Sequence, residues 1–327
     1  MEKIIRYRSV ISFTFLWSWL VIALGAFTRL TDAGLSCPDW PGCYGRLYVG
    51  SVGLAQDHFR MWAEMLHRYS VLLLTIGILL SLMVLLFNRK EVKPLQWFFA
   101  ALLFLLLVYQ PILGMWTVTL KLHPSIVSQH LLSGLTLMLL IGVQWLYFSP
   151  YFSKPDTAQG SHFLKWGGVV IIVLLYIQLF LGAWTSTNYA ALSCDTFPFC
   201  HLTDFSYQFK EAFHLLRPLG ENYDAGVLSE DARRTIQVVH RLGALVISVF
   251  LLIWSGFISI KAKSMRLVIA SLIPVILLLC QIVLGISMIY FLRPLALGLL
   301  HTLVAGAFLI SVVALNYQLW CLDRRGR

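Results

Sequence analysis

The chain has 327 residues, of which 59% are hydrophobic and only 12% charged, with a mean hydropathy of +0.78. Soluble globular proteins carry charge on roughly a quarter of their residues, so this composition excludes that class and requires an integral membrane protein. The formal net charge of +10 calls for no nucleic-acid partner, because the basic residues gather in particular loops, a pattern that orients spans and meets anionic lipids.

Apolar runs of about 20 residues predict eight spans, at 10–28, 62–87, 95–118, 127–148, 166–186, 235–259, 267–290 and 297–319. No small-residue cleavage site follows the first run, which suits a retained span rather than a signal peptide. An even number of spans puts both termini on one side. That side is the more basic, with Lys3, Arg6 and Arg8, then Arg89, Lys90 and Lys93, then Lys154 and Lys165, then Lys261, Lys263 and Arg266. Most basic residues opposite lie in two long loops, where they count for less. The positive-inside rule then makes both termini cytoplasmic in a cell inner (plasma) membrane, with the cysteine-bearing loops outside.

The chain repeats itself. Gly25-Ala26-Phe27-Thr28 through Leu35-Ser36-Cys37 matches Gly182-Ala183-Trp184-Thr185 through Leu192-Ser193-Cys194 without a gap, at an offset of 157. A second cysteine follows in each copy, Cys43 and Cys200. His67-Arg68 matches His240-Arg241 at an offset of 173, and Gln110, Gly114 and His130 match Gln281, Gly285 and His301. The second half therefore carries 16 extra residues between Cys200 and His240. The expected fold is all-α: two pseudo-symmetric four-helix bundles, residues 1–150 and 151–327, in the same orientation. Parallel repeats of this kind serve transporters as well as cofactor-binding bundles.

Four of the nine histidines, His67, His130, His240 and His301, fall inside spans. Each is expected about four to six residues into the second or fourth helix of its half, at similar depth toward the outer face. A single intramembrane histidine reads as a hydrogen-bonded core residue. Four at repeat-equivalent positions read as two pairs, each able to clamp a metal from opposite sides, and with so few nearby carboxylates or thiols the fitting occupant is a haem in each half. Arg68 and Arg241 stand about 100° around the helix from their histidines, so they point elsewhere than the metal. They can reach haem propionates or snorkel to the interface, and Arg68 can pair with Glu64. His58, His123, His162, His201 and His214 fall in loops or at helix ends and read as surface residues.

Glu64 lies three residues before His67 on the same helix face, inside an apolar segment, and the second copy has Gln237 there. A carboxylate in the bilayer is costly, which assigns chemistry to the half that has the acid. Ion pairing with Arg60 or Arg68 is the plainer alternative. The outer pairs Cys37 with Cys43 and Cys194 with Cys200 read as disulfides shaping the loops, each contributing about 2 kcal/mol by loop closure. A redox-active dithiol is the sharper alternative, and zinc is disfavoured with two thiols per loop. Cys280 and Cys321 read as inert. Arg29 has no counterpart in the second copy and reads as fixing its loop. Gln110, Gln178 and Gln281 each precede a glycine by four residues and read as helix-packing hydrogen bonds.

The run Gly25-Ala26-Phe27-Thr28-Arg29-Leu30-Thr31, then Gly34-Leu35-Ser36-Cys37-Pro38-Asp39-Trp40-Pro41, the Glu64 to Arg68 stretch and the four histidines together resemble the haem A synthase family over residues 10–320. The resemblance implies an oxidoreductase that converts the ring D methyl group of haem O to a formyl group by successive hydroxylations. It implies haem b as cofactor on His240 and His301 of the C-terminal half, with Arg241 beside it. Haem O, the substrate, would sit on His67 and His130 of the N-terminal half, with Glu64 catalytic and Arg29 and Arg68 as propionate or substrate contacts. Implied partners are the farnesyltransferase that makes haem O, an electron donor outside the chain, and the terminal oxidase that receives haem A. A homo-oligomer is left open. Two rivals make different demands: a dihaem electron carrier of the cytochrome b561 type places its haems at two depths, and a transporter needs broken helices near the midplane.

Overall fold

The computed structural model describes residues 2–50, 55–90, 92–148, 162–194, 196, 200, 206–262 and 264–321. Eight helices among them are long and apolar enough to cross a membrane. They are α1 (Glu2–Leu30), α2 (Ala55–Phe87), α3 (Pro94–Thr119), α4 (Pro124–Phe148), α5 (His162–Thr187), α6 (Glu230–Lys261), α7 (Met265–Tyr290) and α8 (Leu295–Cys321). One further turn of helix covers Phe209–Ala212, and the described residues contain no strand. The all-α expectation holds, and every predicted run falls within one helix. The helices run past the predicted runs, most at α1 and at the outer starts of α2 and α6. Backbone hydrogen bonding continues into the interface after the apolar side chains stop. Outward-facing side chains are large and apolar, Leu105 being 64% exposed, which only a lipid surroundings makes stable.

Local chemistry sets the helix starts. Pro94 and Pro124 open α3 and α4 at the position where a missing N–H costs nothing. Ser229 and Ser264 cap α6 and α7, their hydroxyls accepting the N–H groups of Ala232 and Leu267.

The chain divides into two compact units: Met1–Ser149 with Leu215–Asp224, and Pro150–His214 with Ala225–Arg327. In the first, α1 packs on α2 and α4, and α3 packs on α4. Trp17 Nε1 donates to Ser70 O at 2.9 Å, Trp145 Nε1 to Ser12 Oγ at 3.0 Å, and Tyr7 OH to Gln144 Oε1 at 2.8 Å, joining α1 to α2 and α4. In the second, α5 packs on α6 and α8, α7 on α8, and α6 on α7. Here Trp254 Nε1 donates to Leu164 O at 2.8 Å, and Ser259 and Ser271 bond at 2.9 Å between α6 and α7.

Ten residues of the long loop before α6, 215–224, therefore belong to the first unit rather than with the rest of 151–327. Tyr223 N donates to Lys121 O at 3.1 Å, Ser125 Oγ to Leu215 O at 2.5 Å, and His123 Nε2 lies 3.3 Å from Arg217 O. The Tyr223 ring meets the His123 ring edge-on and is 1% exposed. This overturns the surface reading of His123, which is 4% exposed because the excursion covers it. His162 and His214 are exposed and His58 is half-buried. His201, Lys154 and Lys263 lie outside the described residues.

In the second unit α5 and α8 touch at Gly168, where a Cβ would meet Asn316 Oδ1 at 2.3 Å and Trp254 Cζ2 at 2.8 Å. Gly168→Ala should therefore destabilise the protein by roughly 1–3 kcal/mol through overpacking, read as a lowered melting temperature in detergent.

Candidate functional site

Each spanning histidine faces a glycine on a neighbouring helix. A Cβ on Gly25 would lie 2.9 Å from His67 Cε1, and the corresponding distances are 3.6 Å for Gly114 and His130, 3.3 Å for Gly182 and His240, and 3.5 Å for Gly285 and His301. The missing Cβ at Gly25 and Gly182 gives His67 and His240 room between packed helices, whereas at Gly114 and Gly285 a Cβ would make ordinary contact with the ring. His67 and His130 lie within electrostatic range of one another, as do His240 and His301. Measured from their own helix starts, His130 and His301 are about two turns in, whereas His67 and His240 are about three, because α2 and α6 begin further out than the apolar run.

All four residues are half-buried, yet Nδ1 of His67, His130 and His301 is fully buried with no hydrogen-bond partner. The surface that these rings still offer is not at Nδ1, which leaves Nε2 as the nitrogen for a ligand. Among the described residues no group of three or more His, Cys, Asp or Glu side chains could chelate a bare ion. Two neutral imidazoles in electrostatic range of one another, with no third chelating side chain among the described residues, are a donor set that fits haem iron, and His67 with His130 and His240 with His301 would be the residues that hold it.

The arginine after His67 and after His240 does a second task, and it is the same in both units. Arg68 Nη1 donates to the carbonyl oxygens of Asp39 at 2.8 Å, Pro41 at 3.2 Å and Gly42 at 2.5 Å. Arg241 Nη1 donates to Thr196 O at 2.6 Å and Nη2 to Cys194 O at 2.9 Å. Asp39 and Thr196 are repeat equivalents, so the arginine clamps the same point of the same loop twice. Both loops carry disulfides, Cys37–Cys43 and Cys194–Cys200, as the outer-loop reading expected. The first loop is tightened further by the Asp39 carboxylate, which accepts the N–H groups of Tyr44 at 2.6 Å and Gly45 at 2.7 Å. Gly42 passes so close to Arg46 O that a Cβ would lie 2.4 Å away. Cys280 is a free thiol exposed on α7.

Glu64 is 4% exposed. Its Oε1 accepts Arg68 Nη2 at 2.5 Å and its Oε2 accepts the Cys37 N–H at 2.8 Å. Of the two cations weighed for it, the partner is Arg68. Gln237 in the second unit makes the parallel contact with neutral groups, its Nε2 donating to Ala191 O at 3.3 Å. Both side chains anchor the outer loop to the helix that bears the histidine, but only the first brings a charge. Arg29, at the end of α1, pairs with Asp32 at 3.3 Å. Gln110 and Gln281 donate to the carbonyls of His130 and His301 at 3.3 and 2.8 Å, as packing hydrogen bonds. Sequence reasoning gave Gln178 the same bland role, but its Nε2 lies 3.1 Å from His240 Nδ1 as well as 3.0 Å from His240 O. The only sequence signal for that contact was its position four residues before Gly182, which faces the same ring.

Fold and site together define an eight-span helical membrane protein with a facing pair of histidines in each of two units, each beneath a disulfide-closed loop. The chain belongs to the COX15-CtaA family, described as cytochrome oxidase assembly protein, whose model matches residues 8–313. It is 35% identical over 322 residues to the haem A synthase of Shewanella oneidensis, covering 94% of each chain. The haem A synthase of Alkalihalophilus pseudofirmus is 23% identical over 99% of each chain, and that of Wolbachia pipientis 28% identical over 86% of this chain and 83% of its own.

Two outcomes follow from the clamps. Arg68→Ala leaves Glu64 buried without its cation and frees three loop carbonyls, which should cost about 3–5 kcal/mol, read by thermal denaturation in detergent together with faster proteolysis of residues 38–46. The second concerns acid. Burial raises the Asp39 pKa, but the Gly45 and Tyr44 N–H groups and the Arg68 charge outweigh it and hold the carboxyl below its ordinary value. The loop stabilisation is therefore complete above the unfolded pKa of about 3.9 and is lost as pH falls through the lower folded value. Pepsin should cut this loop increasingly faster below that range in the native protein, and Asp39→Asn should flatten the dependence.

Proposed function

We propose that this chain oxidises the ring D methyl group of haem O to the formyl group of haem A by successive hydroxylations. Haem O is held in the first unit by His67 and His130, and haem b is held in the second by His240 and His301. The observation that carries this reading is the buried carboxylate of Glu64 beside His67, where the second unit has the neutral Gln237. A unit that only holds a haem needs no acid; a unit that oxidises a carbon must take up protons released from it.

Haem b in the second unit supplies one-electron redox chemistry. The protein's own residues do the rest. His67 and His130 would hold the substrate haem in the first unit, His67 doing so from α2. Glu64 receives a proton at a carboxylate oxygen and stabilises positive charge developing at the reacting carbon. Arg68 keeps that carboxylate in place, and the Cys37–Cys43 loop clamped by Arg68 closes the outer mouth to water. Arg29 ends α1, and Arg68 and Arg241 each adjoin a spanning histidine about three turns into α2 and α6; their charge favours haem propionates near those points.

The basic residues of the inner loops support cytoplasmic termini and contact with anionic lipids, and two outer disulfides support an oxidising outer side. The substrate's chemistry places a farnesyltransferase before this step and a haem A–using terminal oxidase after it, with an electron-transfer partner alongside.

Glu64→Gln is the direct test, because an amide keeps an acceptor for the Cys37 N–H. Protein purified from membranes that contain haem O should yield haem A or hydroxylated haem O when wild type. The variant should retain haem b and haem O but lose product by at least about 100-fold, the lower range for a general acid or base. A variant that makes haem A at the wild-type rate contradicts the assignment; a wild type holding haem b in both units with no oxidised product points to the electron carrier.

A further inference from the structure

The two units treat one of their helix seams differently. In the second, α6 packs on α7, and Ser259 and Ser271 bond across that seam at 2.9 Å. Among the described residues, α2 and α3 make no comparable approach. The repeat equivalents of the two serines, at offsets 173 and 171, are Leu86 and Ala100, whose side chains have nothing to bond with. The links between the helices differ to match: residues 88–93 join α2 to α3, whereas only 262–264 join α6 to α7.

A glycine shows what draws α2 aside. A Cβ on Gly77 would meet Thr14 Oγ1 at 2.8 Å and Thr14 Cγ2 at 3.3 Å, so its absence lets α2 lie close against α1. The second unit has Phe250 and Ile171 at those places, where a residue with a Cβ excludes so close an approach. Gly77 lies about 15 Å further along α2 than His67, and Leu86 about 28 Å, at 1.5 Å per residue. The parting thus runs along the half of α2 that leads away from His67 and the cysteine loop. The side chains there are apolar. Leu82 on α2 and Leu102, Leu106 and Leu107 on α3 pack against the buried cluster that holds Ile78 and Leu103, yet stay half-exposed.

A haem whose propionates lie toward Arg29 and Arg68 turns its opposite edge along α2 toward Gly77. Haem O carries its isoprenoid chain on that edge, and haem b carries none. Resting on the two-haem reading above, we propose that the parted seam between α2 and α3 is the slot that takes this chain, and the route by which haem O enters from the bilayer and haem A returns to it. The chain needs a gap more than an attraction, because lipid hydrocarbon solvates it as well as leucine side chains do. The second unit, drawn together at Ser259 and Ser271, suits a haem without a chain.

The test uses the full-length protein in detergent with haem b already in the second unit, and adds haem O or haem b to the first. In a background of Cys280→Ser and Cys321→Ser, N-ethylmaleimide labelling compares Leu79→Cys with its repeat equivalent Leu252→Cys, positions 44% and 51% exposed. Leu79 stands seven residues before Leu86, on the same helix face. Haem O should protect Leu79→Cys where haem b does not, and neither should protect Leu252→Cys. A protein given the second unit's residues, Thr14→Ile, Gly77→Phe, Leu86→Ser and Ala100→Ser, should still bind haem b in the first unit but bind haem O at least about 10-fold more weakly, the scale of an overpacked contact. Both haems are read in the same variant, so a general loss of fold cannot mimic the changed ratio. If that variant loses the second unit's haem too, the labelling pair decides alone. Equal labelling of Leu79→Cys with haem O and with haem b overturns the proposal. So does labelling that is slow before any haem is added and unchanged after, the mark of a lipid acyl chain held there. A wild-type first unit that binds neither haem overturns the two-haem reading itself, and is seen before any substitution is made.

Discussion

Adjacent residues on an α-helix point about 100° apart, and the whole site depends on how the His-Arg dipeptide uses that angle. The imidazole turns into the bundle while the guanidinium turns to the carbonyl oxygens of a disulfide-closed loop. A loop at the membrane face cannot bury carbonyls without donors, and an arginine near the bilayer cannot stay charged without acceptors. Each solves the other's problem. The histidine and the loop that its neighbouring arginine holds are thereby fixed to the same turn of the same helix, once in each unit.

That duplication makes the differences between units informative. At the position one turn before the histidine, both units use the side chain to tie loop to helix. An amide suffices for that in the second, as Gln237 does with Ala191. The first uses a carboxylate, which demands a cation and two donors to be tolerated at 4% exposure, and it receives them from Arg68 and Cys37. An ion pair is thus the structural means by which a carboxylate is kept buried one turn from His67.

The spans were legible because hydrocarbon tolerates only long apolar helices, so composition alone nearly dictates them. Helix ends were less so: Ala55 and Glu230 begin helices well outside the apolar run, where hydropathy carries no signal. The four histidines and Glu64 were legible through the repeat. Contacts between distant segments were not. Arg68 reaches carbonyls 26 to 29 residues away and Arg241 reaches them 45 and 47 away, and no local periodicity encodes a clamp. The extra residues before His240 announced an insertion but not its destination, so His123 read as a surface residue until Tyr223 was found against it. Gln178 makes the packing hydrogen bond expected of it, to His240 O, but its approach to the His240 ring was not legible because the three glutamines look alike in sequence.

The measurement that bears most directly on the division of labour is haem identity and content in His67→Ala and His240→Ala proteins, each purified from membranes containing both haem b and haem O. The account predicts that His240→Ala loses haem b and retains haem O unconverted, whereas His67→Ala keeps haem b and loses haem O and haem A. The reverse pattern, or equal loss of both haems from either variant, would contradict it.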